Sequence, residues 1–415
     1  MIFESLVWKV YQCVLHMALR LKGKQLSNKE IKLPDFSTTK DCVWVFCTTI
    51  GELNSCHEFL DNYTRGLSLV IVTDKEIYKE SFLRKFPDAY VITLSEYKQA
   101  SKRLTTLLRP VQFIICEIPC LLHESPCRFD YQIIRDMHYH KASVIVINGW
   151  LYKDKVSCRQ DYVEKKLFEP YYLRFVDYFF VQNDFVKNEL LAKGCDANKI
   201  SVILSFKFDS LYKEANFIDT VDAKNLEAYS IRNIFLAGSL SGNVEFDLVI
   251  QGSKSFIDNG GLLIIAPRHP EIDSNIVYIV SALEKENLSY TKLSDRNINN
   301  QQVLIVDTFG DLPALLYHSD KVYIGKNHNL IEPLSMGKPV ATSDGWSHQF
   351  STHEIFKFCY DQNLIELCNT PEDIQSFLLC NRERTNISLP VRKDSSVNLV
   401  LEQLKSQGLS VAQKC

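Results

Sequence analysis

The chain runs to 415 residues, too long for one comfortable hydrophobic core and suited to two domains of roughly 200 residues each. Hydrophobic residues at 46 % and charged residues at 23 % exclude a disordered or low-complexity chain. A formal net charge of -3 with a pI near 6.4 excludes a global attraction for nucleic acid, so any contact with phosphate or anionic lipid has to come from a local patch. Thirteen cysteines with no CxxC pair, many inside apolar runs, read as buried, reduced thiols in a reducing compartment.

The first predicted element is an amphipathic helix over residues 1 to 22. Phe3, Leu6, Val10, Val14, Met17 and Leu21 recur at three- and four-residue spacings, with Lys9, Gln12, His16 and Arg20 on the opposite face. Glu4, Lys9 and Arg20 interrupt the run of about 18 apolar residues that a spanning helix needs, and no small-residue cleavage site follows. An interfacial anchor, with Lys22, Lys24 and Lys29 toward anionic head groups, explains the pattern; a helix docked on its own domain gives the same periodicity.

Beyond residue 40, short apolar runs alternate with helical stretches: Cys42 to Cys47, Ser68 to Thr73, Tyr90 to Thr93, Gln112 to Cys116, Ser143 to Ile147 and Tyr178 to Val181. Near-continuous apolar strands between helices predict a parallel sheet covered on both faces. The rhythm pauses in a polar segment around 206 to 231 and resumes with Asn233 to Ala237, Leu262 to Ile265, Val303 to Val306, Lys321 to Ile324 and Pro339 to Thr342. The expected division is a helix at 1–30, one α/β domain at 31–215 and a second at 216–415. Two doubly wound lobes in tandem are expected to face a central cleft, with the chemistry at strand ends.

The first strand runs into Thr48-Thr49-Ile50-Gly51-Glu52, which puts a carboxylate at a strand end and helix start. Glu52 is the candidate general base, and a first-turn glutamate favoured by the helix dipole is the plainer reading. The second lobe opens with Gly238-Ser239-Leu240-Ser241-Gly242, a small-residue turn whose free backbone N–H groups can hold a phosphate, or a tight turn with Ser241 as a helix cap. Pro267-Arg268-His269-Pro270 presents a cation and an imidazole, and the guanidinium fork suits phosphate or carboxylate as well as a surface salt bridge. Asn329 and Glu332 lie three apart and are expected to project together from a first helical turn, where Glu332 can accept from both hydroxyls of a ribose. His138-Tyr139-His140 with Asp136 lacks a third ligand at metal-site spacing and reads as a surface helix end.

Taken in order, the Gly-Glu after the first strand, Lys207-Phe208-Asp209, Gly238-Ser239, Pro267-Arg268-His269-Pro270, Asp307-x-x-Gly310-x-Leu312 and His328-Asn329-x-x-Glu332-Pro333 resemble the Kdo transferases. The resemblance covers most of the chain to about residue 350. It implies a GT-B fold of two Rossmann-like domains behind an N-terminal membrane-associating helix. It further implies an inverting transferase, independent of metal and cofactor, at the cytoplasmic face of a bacterial inner membrane. Such an enzyme takes CMP-Kdo as donor and a lipid A precursor as acceptor. Glu52 would then be the base, with Arg268 and the Gly238-Ser239 turn around the CMP phosphate. Asn329 and Glu332 would hold the nucleotide, Lys207 would meet the donor's negative charge, and His269 and Gly310 would stand on the donor side.

The chain also departs from that pattern. Glu117-Ile118-Pro119-Cys120 stands where the family shows Glu-x-Trp-Pro-Asn, and Asn148-Gly149-Trp150-Leu151-Tyr152 where it shows Asn-x-Arg-x-Ser. Ile272 replaces an arginine, and the glycine-rich loop shrinks to Gly325-Lys326-Asn327. Nucleotide holding reads as retained and the acceptor- and sugar-side loops as altered. The competing expectations are a GT-B enzyme using another nucleotide sugar, an epimerase among them, and a catalytically silent relative that serves as a binding module.

Overall fold

A computed structural model describes residues 2–21, 40–121, 129–151, 159–212, 233–295, 301–348, 350–380 and 394–409. Lys22, Lys24 and Lys29, most of the polar segment before residue 233, and Tyr152 lie outside them. The chain divides into two compact units, one of residues 1–206 with 394–415 and the other of 207–393. The C-terminal segment thus returns to the first unit, where the sequence reading had run the second domain from 216 to the end. The reason is a helix, Ser396–Ser406, whose Val397, Val400 and Leu404 are buried in the first unit beside Phe59 and Leu60 of the helix Ile50–Thr64. The Leu409 carbonyl fastens the return by accepting from Gln112 Nε2 at 2.7 Å and from Tyr63 Oη at 3.2 Å.

In the first unit the strands are β1 (Lys40–Phe46), β2 (Ser68–Thr73), β3 (Tyr90–Thr93), β4 (Leu108–Cys116), β5 (Ser143–Gly149), β6 (Tyr178–Val181) and β7 (Ile200–Val202). All pair in parallel, in the order β3-β2-β1-β4-β5-β6-β7. Alternate residues of β1 feed opposite cores: Trp44 and Phe46 pack with Phe113 and Tyr97, and Val43 and Val45 with Phe59 and Ile114. A sheet buried on both faces cannot alternate apolar with polar, which is why its strands read as unbroken apolar runs.

The second unit holds β8 (Ile234–Leu240), β9 (Leu262–Pro267), β10 (Tyr290–Lys292), β11 (Val303–Ile305), β12 (Lys321–Ile324), β13 (Val340–Thr342) and β14 (Ile365–Leu367). These too are all parallel, ordered β10-β11-β9-β8-β12-β13-β14. The architecture is the expected α/β GT-B class, two Rossmann-like doubly wound units. The three-residue strands β7, β10 and β14 lack the apolar length that announces a strand. In each sheet the order turns back beside the first strand, between β1 and β4 and between β8 and β12. A crevice opens at such a switch point, beyond the carboxyl ends of the strands.

The helix Ile2–Leu21 is held to the first unit by a face the periodicity did not pick out. Glu4 is buried and accepts from Arg135 Nε at 3.0 Å, Tyr131 Oη at 2.9 Å and Tyr139 Oη at 2.7 Å. Trp8 packs edge-on against Tyr131 and Phe168, and Tyr11 Oη donates to Glu164. Phe3, Leu6, Val10, Val14 and Met17 are left 56–71 % exposed along the outer side. The helix is therefore docked and still shows an apolar stripe. None of the described helices is long and apolar enough to cross a membrane.

Candidate functional site

The switch point of the second unit is built from three strand ends. At the end of β8, Ser239 turns with φ of 56°, Gly242 just past the strand has φ of 81°, and the helix Asn243–Gly252 begins without a side-chain cap. Glu245, in the first turn of that helix, reaches back: Oε2 accepts from Ser241 N at 2.7 Å and Oε1 from Lys326 N at 2.9 Å. One carboxylate thus ties the loop after β8 to the loop after β12. The Ser241 N–H that the sequence reading offers to a phosphate is already satisfied by this internal anion. Gly325 is required there by space, because a Cβ would lie 2.4 Å from the Ser239 carbonyl and 2.8 Å from Glu245 Oε2.

Arg268, just past β9, donates its backbone N–H to Leu240 O at 2.9 Å, so its loop is registered on the same turn. Its guanidinium, with Ser241, Glu245, Lys326, Asn327 and Ser343, lines a pocket of about 410 Å³ within the second unit. His269 is exposed, with Nδ1 3.1 Å from Glu271 Oε1 and its carbonyl accepting from Asn275 Nδ2. His328 is pushed down to about 3, first by burial and then by the charges of Arg268 and His269. Its imidazole is neutral in the ordinary pH range, and its buried Nε2 has no partner among the described residues.

The helix of Glu332 starts at Ile331, so Asn329 lies ahead of it rather than in its first turn, which corrects the expected pairing. Asn329 Oδ1 instead accepts from Ile331 N at 3.1 Å, an Asx-type turn that opens the helix. Burial raises Glu332 above the usual carboxylate range, and its side chain has no hydrogen bond among the described residues. Gly310, with φ of 93°, shapes the loop after β11, in which Asp307 accepts from Ser294 Oγ and Thr308 donates to Asp311. Lys207 is half-buried in the short helical segment Phe206–Tyr212 and does not line the pocket.

In the first unit, Glu52 is 2 % exposed and closes a capping box with Thr49. Its Oε2 accepts from Thr48 N at 2.6 Å, and the Thr48 hydroxyl donates to Oε1 at 2.7 Å. The carboxylate is thus bound back onto the turn that carries it. At the end of β4, Glu117 has φ of 62°, and at β5 Asn148 has φ of 53°. Asn148 Nδ2 donates to Glu117 Oε1 at 2.8 Å, Asn148 Oδ1 accepts from Phe206 N at 3.1 Å, and Asn148 O accepts from Gln182 Nε2 at 2.8 Å. Cys47, behind both glutamates, is pushed up to about 12, mainly by burial. Farther off, His138 stacks on Phe175 at 4.0 Å and Asp136 accepts from Tyr97 Oη. No three His, Cys, Asp or Glu among the described residues are grouped to hold a metal ion.

Sequence reasoning did not single out Glu245 or Lys326. Both had a signal: an acid in a first helical turn just after a strand, and a cation just past a strand that ends at the switch point.

No protein-family model matches the chain, and no curated protein matches it. Among solved structures, a Listeria monocytogenes protein described as a UDP-N-acetylglucosamine 2-epimerase aligns at 14 % identity and TM-score 0.60, over 89 % of this chain and 97 % of that one. The UDP-GlcNAc 2-epimerase of Methanocaldococcus jannaschii aligns at 14 % and 0.56, over 88 % and 99 %. The C-terminal CMP-Kdo binding domain of WaaA from Acinetobacter baumannii aligns at 16 % and 0.34, over 46 % of this chain and 92 % of that domain. Likeness at this identity defines a fold class, the two-unit GT-B architecture, and the particular chemistry has to come from the residues of this chain.

Proposed function

We propose that the chain handles a nucleotide sugar, and that it is an inverting transferase moving Kdo or a related 3-deoxy-ulosonic acid from its CMP ester to a lipid A precursor. The observation that carries the reading is the Arg268 guanidinium, unpaired among the described residues, beside the Ser239–Gly242 turn next to the switch point of a doubly wound sheet. Glu332, its side chain without a hydrogen bond among the described residues, is suited to the ribose hydroxyls, and Glu52 to the acceptor's proton once its cap opens.

The acceptor is a lipid, and the exposed stripe of the helix Ile2–Leu21 supports seating the protein on a membrane surface without crossing it. We place it at the inner face of a bacterial inner membrane as part of the same proposal. The test is CMP release from CMP-Kdo by the detergent-solubilised protein, with and without tetra-acylated lipid A precursor. Acceptor-dependent release is expected. Preference for a UDP-sugar over a CMP-sugar moves the function to another GT-B enzyme, and nucleotide binding with no turnover of either moves it to a silent binding module. Leu6→Asp with Val10→Asp is expected to abolish co-flotation with anionic vesicles; unchanged flotation removes the membrane from the proposal.

A further inference from the structure

Lys326 occupies a position the proposed reaction has not yet used. It stands two residues past the end of β12, the strand that pairs with β8 across the switch point, and its backbone N–H is pinned by Glu245 Oε1. Its ammonium lies 3.7 Å from where a Cβ on Gly345 would stand, over the loop that follows β13. Pinned at one end and directed at the other, it lines the same pocket of about 410 Å³ as Arg268.

The charges of that pocket balance in number and do not meet in direct contact. Neither the Lys326 ammonium nor the Arg268 guanidinium has a hydrogen-bond or ion-pair partner among the described residues. The pocket also carries two carboxylates. Glu245 serves two backbone N–H groups and feels the Lys326 charge without a hydrogen bond to its ammonium, and Asp344 is exposed, its own N–H donated to Asn369 Oδ1. The field of Arg268 reaches His328 as well, helping to keep that imidazole neutral. Two cations without a contact partner among the described residues, lining one pocket of small-molecule size, suit a ligand with two acids.

We propose that Lys326 sets the substrate class of this site: it holds a second anionic group, carboxylate or phosphate, of a donor whose nucleoside phosphate is held by Arg268. This rests on the nucleotide-sugar reading above and sharpens it. A neutral hexose on a single phosphate leaves Lys326 unmatched. An ulosonate on CMP offers its carboxylate, and a nucleoside diphosphate offers its outer phosphate. Specificity arises because an unmatched, partly desolvated cation is a penalty for the wrong ligand as well as a gain for the right one.

The test is calorimetric titration of the full-length protein and of Lys326→Met, which keeps the apolar stem and removes the charge. Five ligands are compared: CMP, CDP, a CMP-linked ulosonate, inorganic phosphate and pyrophosphate. The wild type is expected to bind CDP or the CMP-ulosonate about ten-fold or more tightly than CMP, the scale of one charge-assisted contact. Lys326→Met is expected to erase that preference, to leave CMP within about two-fold, and to melt within about 2 °C of wild type; Lys326→Arg restores the preference. Whichever of CDP and the CMP-ulosonate gains more identifies the second acid. Nucleotide binding with the same preference in Lys326→Met overturns the role of Lys326 and leaves the nucleotide reading standing. Lys326-dependent binding of pyrophosphate with no nucleotide bound does the reverse. If none of the five binds, both fall.

Discussion

The two units solve the same geometric problem at the ends of their strands and finish it differently. In the first, polar groups beyond β1, β4 and β5 bond to one another: Glu52 to Thr48, Glu117 to Asn148, and Asn148 onward to Phe206 and Gln182. In the second, Arg268 and Lys326 line an open pocket without a side-chain partner among the described residues, and His328 Nε2 and the Glu332 carboxylate, on the segment after β12, likewise have none there. Buried polar groups are normally satisfied, so the open His328 Nε2 beside the charge of Arg268 points to a ligand, and groups closed on themselves point to structure. The contrast favours the second unit for the ligand holding proposed above. It also sets a condition on Glu52, whose carboxylate has to give up its cap before it can take a proton.

The largest test of that contrast is Glu52→Gln. Glutamine can still accept from the Thr48 N–H, so the capping box survives and the melting temperature is expected to change by no more than about 2 °C. As the loss of a general base, the same change is expected to lower turnover about a hundred-fold or more with donor affinity unchanged. Wild-type turnover in Glu52→Gln leaves Glu52 a cap and sends the search for the base elsewhere.

Next comes Asn148→Ala. It removes two side-chain hydrogen bonds from a residue 2 % exposed and puts alanine at a φ of 53°, where asparagine is at ease and alanine is not. A loss of about 3 kcal/mol in chemical denaturation is expected. CMP affinity of the folded protein should stay within two-fold, since that network belongs to the first unit. Weakened CMP binding in the folded variant would break the division of labour.

How much of this was legible in the sequence follows from the physics of each signal. The parallel sheets were, because strands buried on both faces are written as unbroken apolar runs, as in Cys42 to Cys47 and Leu262 to Ile265. The return of Ser396–Ser406 to the first unit was not, because amphipathic periodicity says that a face is buried and not against what. For the same reason the stripe Phe3, Leu6, Val10, Val14, Met17 was visible while its exposure was not. Glu4, Trp8 and Tyr11 supply the docked face through hydrogen bonds and ring contacts that hydropathy does not score. At the site, Arg268 and Glu332 stood out as charges near strand ends. The bracket made by Glu245 depends on two loops some 80 residues apart in sequence meeting on adjacent strands, which pairing alone decides.

That bracket gives the third prediction. Gly325→Ala puts a methyl group against the Ser239 carbonyl at 2.4 Å, and backbone has to yield. Gly149→Ala, its counterpart in the first unit, meets Val181 Cγ1 at 3.2 Å and the Phe180 carbonyl at 3.3 Å, a milder conflict. Gly325→Ala is expected to weaken CMP binding about ten-fold by prising the loops after β8 and β12 apart, at about 1–3 kcal/mol of strain. Gly149→Ala should leave CMP affinity intact. Equal effects of the two would mean that Glu245 does not set the pocket.

The smallest effect is a pH dependence, in which two groups of the open site act with opposite sign. His328 titrates near 6.5 when unfolded and about 3 when folded, so between those values the unfolded chain binds the extra proton. Stability therefore rises with pH through that window and is lost on acidification, by no more than about 1.4 kcal/mol per pH unit. Glu332 acts in the opposite sense: burial raises it, so the folded state holds the proton longer, and stability falls as pH rises above the unfolded carboxylate value near 4.5. His328→Gln is expected to flatten the acid limb of a urea-denaturation series run from pH 6.5 down to pH 4, and Glu332→Gln to leave that limb steeper. Bound nucleotide should flatten the limb of the wild type as well, because an anion beside Arg268 offsets the field that keeps His328 neutral. A limb that ignores both the substitution and the nucleotide would mean that His328 does not sense the pocket, and that its empty Nε2 is a packing vacancy rather than the edge of a ligand site.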